Sequence, residues 1–451
     1  MKMKKILTII LTAAMTVSLA ACGSSAQSGA KEEAAESKTE ETASTETAVE
    51  ETSANGDQKV FKFGGIMPVT GELAIMGTED KQGVEMAIDE INAAGGLDVG
   101  GEKYKIEFIS YDAGADPQDS ADYTQRLINV DGCNIICGSM MGPNLPAELE
   151  VSEPAGVIVY DSFARNPILS GGSKYGIEMN SPCGAIGHAF VDLLRKDVNE
   201  LNQAGLPGER MNAAQSIAVF GRNESYTVDF ANGVEEQCEK SGVKYAGNIM
   251  FPTGTTDYLP YIQQLAALDP DVVVLYSYTE ETMLPPLRDM LAVGGLDWTK
   301  GDIVLMSNDV LAEPSAVQRC HEEGVDINGM ICYSSVPLEA NQAALDFYEK
   351  GRQKYGDKFG LQPALIFQSY EATMQVLGGI SLSGTVTDTD KMLQGIKDYS
   401  YKGAYYDWVI TDEKQSQTPI YINRVENDVL VTTGIEYGQE VYWGAAFEYN
   451  P

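Results

Sequence analysis

From Val60 onward, short apolar runs alternate with stretches whose apolar residues recur at helical intervals, and this alternation constrains the fold more than any other feature. Val272-Val273-Val274-Leu275 and Ile303-Val304-Leu305 are continuously apolar, as strands buried on both faces must be. Strands are expected at Val60–Ile66, Lys105–Ser110, Asn134–Cys137, Val157–Tyr160, Ser216–Phe220, Val243–Met250, Val272–Tyr276 and Ile303–Met306. Helices are expected at Glu79–Ala93, Pro117–Asn129, Asn144–Glu153, Ala185–Gln203, Ser225–Ser241, Asp257–Leu268, Glu281–Val293, Ala340–Tyr355, Pro363–Ser381 and Thr387–Asp398. In the first of these, Val84, Ala87, Ile88 and Ile91 make one face, Glu79 and Asp80 sit at the positive end, and Gly95-Gly96 closes the helix. Such alternation builds an α/β fold of parallel sheets covered on both sides by helices. At 451 residues the chain exceeds one ordinary core, so two such units are expected.

The loop after the first strand, Gly64 to Gly83, is rich in glycine. Strand, glycine loop and helix are also the parts of a phosphate-binding loop. Here Gly71 and Gly77 are followed by Thr78, and no Lys stands directly after the second glycine. The spacing of Gly65, Gly71 and Gly77 also misses the dinucleotide fingerprint, so nucleotide binding is not expected. In open parallel sheets, ligands bind outside the carboxyl ends of the strands, which makes this loop cleft-facing by topology.

The amino-terminal stretch has a different texture. Lys2, Lys4 and Lys5 precede the apolar run Ile6 to Ala20, which is short for a membrane-spanning helix. This is a secretory signal, and Leu19-Ala20-Ala21-Cys22 resembles the lipobox of bacterial lipoproteins. That resemblance implies cleavage after residue 21 and a diacylglycerol on the Cys22 thiol. Residues 22–58 hold almost no large apolar side chains, and from 27 to 58 nine acids face only Lys31 and Lys38. A segment like this cannot bury enough surface to fold. It is expected to be a disordered, acidic, lipid-anchored tether.

The formal charge of −35 argues against nucleic acid, whose phosphates need Lys and Arg. It also argues against electrostatic attachment to an anionic membrane, leaving the lipid as the only membrane contact. His188 and His321 are the only histidines, so an imidazole-rich metal site is excluded and no cofactor is expected. Besides Cys22, the cysteines Cys133, Cys137, Cys183, Cys238, Cys320 and Cys332 show no metal spacing and read as buried free thiols. Ser241-Gly242-Val243-Lys244 matches a hydrolase nucleophile pattern, yet its partner motifs are missing and it reads as a helix-ending turn.

Phe63-Gly64-Gly65-Ile66-Met67-Pro68-Val69-Thr70-Gly71, then Gly77, then Asp89-Glu90-Ile91-Asn92-Ala93-Ala94-Gly95-Gly96 resemble the start of type I periplasmic binding proteins. The nearest group is the Leu/Ile/Val receptors of ABC transporters. Further matches follow in order at Tyr111-Asp112 with Asp116-Pro117, Gly221 to Tyr226, Phe251 to Tyr258, and Asp269 to Val272. The resemblance covers residues 60 to about 435 and implies two doubly wound lobes joined by three crossings, with a ligand closed between them. It assigns 59–181 plus 331–400 to lobe 1 and 182–330 plus 401–451 to lobe 2. The family's disulfide has no counterpart, because Tyr111–Pro117 lacks Cys.

The resemblance also implies site residues. Ser139, Met141 and Gly142 lie in a loop that leads into a helix, where backbone N–H groups suit a carboxylate. Phe163, Ala164 and Arg165 form the second clamp loop, and Arg165 stands near the family's ligand-binding Thr. Arg165 could grip a carboxylate with two parallel hydrogen bonds, or be a surface residue paired with a nearby acid. Asp309 matches the ammonium-binding acid, and Tyr226, Tyr278 and Met76 match walls of the pocket. The expected function is an extracytoplasmic, lipid-anchored solute-binding protein and not an enzyme. It would be a monomer that carries an amino acid or similar small carboxylate to an ABC permease. Met140, Met141 and Arg165 depart from the family pattern and point to a larger, more polar or doubly carboxylated ligand rather than Leu, Ile or Val. A sensory receptor on the same fold and a secreted hydrolase are the alternatives.

Overall fold

The computed structural model describes residues 59–438, apart from Tyr278 and Asp357. The signal, the tether with Cys22, and residues 439–451 lie outside the described residues.

Two sheets organise the chain. The first runs in the order Leu97–Val99, Glu102–Tyr111, Lys59–Ile66, Ile135–Cys137, Ile158–Asp161, Gly176–Glu178. Its pairs are parallel except Leu97–Val99 against Glu102–Tyr111. The second runs Val429–Tyr437, Ile420–Glu426, Ile331–Ser334, Val304–Ser307, Val272–Tyr276, Ser216–Arg222, Lys244–Phe251. It is parallel apart from the final hairpin. This is the expected α/β architecture of two doubly wound lobes. Each sheet is covered on both sides: Phe61, Ile106 and Ile135 pack to one side of the first sheet, and Ile66, Ile136 and Val159 to the other. Among the described residues, no helix is long and apolar enough to cross a membrane. The six described cysteines are buried and free.

Three crossings join the lobes and bond to one another. Ser181 and Thr418 share a hydroxyl hydrogen bond of 2.9 Å, and the Ser335 hydroxyl donates to the Asn180 side-chain oxygen at 3.4 Å. The crossings fall later than 330/331 and 400/401. Ile331–Ser334 is a strand of the second sheet, between Val304–Ser307 and Ile420–Glu426. Residues 401–417 stay with the first lobe, because Trp408 is buried in its core and Gln415 bridges Glu178. The strand Ile331–Ser334 is set by its neighbours on either side, and burial of one Trp decided the other boundary.

Most helices differ from their expected bounds by one to three residues, and two differ by more. The first begins at Ala74, one turn early, so Glu79 and Asp80 lie inside it and are buried instead of capping it. The Glu79 carboxylate accepts from the backbone N–H groups of Leu361 and Gln362, at the start of the helix Pro363–Ser383. Ala185–Gln203 is two helices, Cys183–Leu193 and Val198–Gln203. Asp197 breaks it by accepting from the N–H groups of Asn199 and Glu200 as the cap of the second. Ser241–Lys244 is a turn, with Gly242 at φ 72°.

Two helices of lobe 2, Cys183–Leu193 and Ser225–Ser241, touch through glycine. A Cβ at Gly233 would stand 2.2 Å from the Gly184 carbonyl oxygen, and one at Gly187 would stand 2.7 Å from that of Phe230. Backbone cannot move aside as a side chain can. Gly233→Val should therefore destabilise the fold by roughly 1–3 kcal/mol or more. Chemical denaturation checks this, and an unchanged midpoint would refute the close-packing account.

Candidate functional site

The carboxyl ends of both sheets face the same cleft. In the first sheet, Lys59–Ile66 and Ile135–Cys137 are neighbours whose chains leave in opposite directions, which opens a crevice for the loops after them. The corresponding point in the second sheet lies between Ser216–Arg222 and Val272–Tyr276. Gly138–Gly142, Ser162–Arg165, Arg222–Tyr226 and Asn308–Asp309 therefore converge because of strand order alone.

Arg165, from lobe 1, reaches across the cleft to Asp309 of lobe 2. Its Nη2 donates to the Asp309 Oδ2 at 2.6 Å, with side-chain exposures of 7% and 15%. A longer contact of 3.5 Å joins Nη2 to the Ser335 hydroxyl on a crossing segment. The guanidinium also lies against the rings of Phe163, at 5.2 Å, and Tyr333, at 5.7 Å. Burial is the largest influence on Arg165 and works against its charge, but Asp309 overrides it and raises the pKa well above the usual range. Among the described residues, neither the Nε of Arg165 nor the Oδ1 of Asn308 has a hydrogen-bond partner.

Small spaces flank the pair. One of about 20 Å³ is lined by Gly142, Phe163, Ala164, Arg165, Tyr226 and Asp309, together with Met140, Ser277, Asn308 and Val310. The other, of about 30 Å³, is lined by Met76, Phe163, Asp309 and Gln368 among others. Each has room for about one water, so the lobes as they stand are closed on one another. Seven of the residues expected from sequence therefore meet at one place: Met76, Gly142, Phe163, Ala164, Arg165, Tyr226 and Asp309. Ser139 and Met141 line neither space. Ser139 is buried beside Glu148, and Met141 packs with Leu73, Met76, Met140 and Leu365 in an apolar wall. Tyr278 lies outside the described residues.

Asp161, which sequence reasoning passed over, builds the lobe 1 half. Its Oδ1 accepts from the N–H groups of Phe163 and Ala164 at 2.9 and 2.6 Å, and its Oδ2 accepts from Met140 N–H at 2.9 Å. One carboxylate thus ties both clamp loops together and holds Met140 at φ 62°, a left-handed conformation rare for a side chain. The signal in the sequence was an acid at the end of an apolar strand. Ser277, Asn308 and Tyr333 were missed because nothing in their spacing distinguishes them from ordinary strand ends.

Beneath this loop lie further buried acids. A Cβ on Gly138 would sit 2.8 Å from the Asp161 Oδ2 and 3.1 Å from the Glu148 Oε2, so the backbone threads between two carboxyl groups. Burial pushes the pKa of Glu148 up to about 8, and Ser139 opposes it. Burial also lifts Asp80, which accepts from the hydroxyls of Ser162 and Ser369, to about 7. Among the described residues no group of three His, Cys, Asp or Glu side chains is placed to hold a metal.

These raised acids give the fold a pH dependence. The folded chain keeps protons that the unfolded chain loses above about pH 4.5, so their contribution falls as pH rises towards 8. The melting temperature should drop between about pH 5 and pH 8. Glu148→Gln should flatten that drop and exceed the parent at pH 8. Identical pH profiles for the two proteins would show that Glu148 carries no such proton.

A model of the periplasmic binding protein family matches residues 60–429. "Leu/Ile/Val-binding protein homolog 8" of Brucella abortus is 29% identical over 224 residues, which is 49% of this chain and 53% of that protein. The chain thus spans about half the length of the curated relatives it matches. A leucine-binding protein from Thermotoga maritima superposes with a TM-score of 0.65 at 20% identity, covering 83% of this chain and 97% of its own. A solute-binding protein of an ABC transporter from Rhodopseudomonas palustris, in complex with p-hydroxybenzoic acid, gives 0.71 at 17% identity, with 86% and 100% covered. These relatives are binding proteins and not enzymes. With two facing lobes, three crossings and a cleft at the strand ends, the chain belongs to the periplasmic binding protein family.

Proposed function

We propose that the protein is the solute receptor of an ABC importer and that it binds a small zwitterion, an amino acid or close analogue, between its lobes. The observation that carries this reading is the Arg165–Asp309 pair. Breaking a buried pair by removing one partner costs about 3–5 kcal/mol, so an incoming ligand must satisfy both charges. A zwitterion does this without residue: its carboxylate takes Arg165 and its ammonium takes Asp309. A simple carboxylate would put two anions on one guanidinium. The relatives named for Leu, Ile and Val, and the neighbour from Streptococcus pneumoniae in complex with isoleucine, support the same class.

Closure is driven by contacts the ligand makes with both lobes at once. Without ligand, the Arg165–Asp309 contact takes their place. A tight ligand must therefore compete with a bond the protein makes to itself.

A second reading is favoured by the apolar wall of Met76, Met140, Met141 and Leu365 and by the hydroxybenzoate complex of a neighbour: an aromatic monocarboxylate held by Arg165 alone. Asp309→Asn separates the two. Calorimetric titration should show amino-acid affinity falling on the order of 30-fold or more, the cost of truncating a buried charge partner. Benzoate-type ligands would instead bind the variant more tightly. Loss for neither class would remove Asp309 from the site.

The chain is proposed to act as a monomer on the outer face of the membrane, held there by a lipid on Cys22, with residues 22–58 as its tether. Transport is favoured over sensing by that anchor. Cys22→Ser should move the protein from the membrane to the soluble fraction in cells. Retention of the variant in the membrane would refute the anchor.

A further inference from the structure

We infer that the site extends beyond the Arg165–Asp309 pair into a groove between the lobes, and that this groove receives the apolar tail of an elongated ligand. The inference rests on the pair being the head-group site. The spaces are strung together by shared walls. Those of about 20 and 30 Å³ share Phe163, Asp309 and Val310. The second shares Glu313, Ser334 and Ala364 with a groove of about 670 Å³. That volume falls within the range of small-molecule sites.

The groove lies between helix Pro314–Glu322 of lobe 2 and helix Gln342–Tyr355 of lobe 1, beside the crossing at Val336–Leu338. Its chemistry selects an apolar occupant. Val317, Val336 and Tyr348 are buried in its wall, with Leu338, Leu345 and Leu430 beside them. Of its charged groups, Arg352 and the His321–Asp428 pair are exposed, and Glu313 is half-buried where the groove meets the inner space. The space that leads back to Asp309 is lined by Met76, Phe163, Val310, Ala364 and Leu365 together with the polar Glu313, Ser334, Ser335, Gln362 and Gln368. In the groove itself an alkyl or aryl tail meets matching surface at Val317, Val336, Leu338, Leu345, Tyr348 and Leu430. The class is therefore a 2-amino acid with a long apolar side chain. This is consistent with the departures at Met140 and Arg165, which point away from a short aliphatic ligand.

The test is calorimetric titration of the full mature chain with alanine, leucine and straight-chain 2-amino acids of six, eight and ten carbons. Affinity should keep rising beyond six carbons, by up to about fourfold per added methylene, the value for full burial. Ala340→Trp, at an exposed position that lines the groove and not the inner spaces, should erase that rise while alanine and leucine stay within about twofold. Leu345→Asp, at a position 50% exposed, should do the same by putting a charge in the groove, and serves if the Trp variant does not fold. Short acids that bind with no further gain beyond six carbons would overturn the groove assignment and spare the head-group site. Equal weakening of short and long ligands by both variants would also overturn it. Binding by no member of the series would overturn both readings together.

Discussion

A guanidinium withdrawn from water must be met by an anion, and in this protein the anion is supplied by the opposite lobe. Arg165 touches both halves of the cleft directly: its charge lies against Asp309 of lobe 2, and its guanidinium contacts the rings of Phe163 of lobe 1 and Tyr333 of lobe 2. The closed arrangement of the lobes rests on that contact, because the spaces around it are too small for anything but water. The two charges of this contact cancel each other, although the chain carries a formal charge of −35.

The lobe 1 half of the cleft is held by carboxyl groups in unusual surroundings. Asp161 organises two loops by accepting three backbone hydrogen bonds, and these N–H groups pull its pKa down against the burial that dominates and raises it. Burial lifts Glu148 as well, to about 8, against the opposing influence of Ser139. Gly138 is needed between Asp161 and Glu148 because any side chain there would displace a carboxylate.

The crossings give the lobes their freedom and its limits. Asn180, Ser181, Ser334, Ser335 and Thr418 bond across the three chains, and Asn423 joins them through the Ser334 hydroxyl at 2.8 Å. Small hydroxyl side chains can exchange partners as the chains rotate, whereas a packed apolar seam could not. Arg165 contacts this same cluster through Ser335, so the charge pair across the cleft and the crossings share a residue.

The α/β class, most strands and most helices were legible from residue order, because continuous apolar runs and helical spacing report burial directly. Seven of the expected site residues stand around the two small spaces beside Arg165 and Asp309, because topology brings the carboxyl ends of the strands together. What sequence could not reach is each property that depends on a distant partner. The strand Ile331–Ser334 is four residues long and is defined by neighbours on either side. Trp408 belongs to lobe 1 because a cavity between sheet and helix accepts it there. That Arg165 and Asp309 hold each other, 144 positions apart in the chain, was decided only when two lobes met. Apolar periodicity is local and survives in the sequence; the pairing of charges across a cleft is a matter of distance in space, and only the folded chain sets that distance.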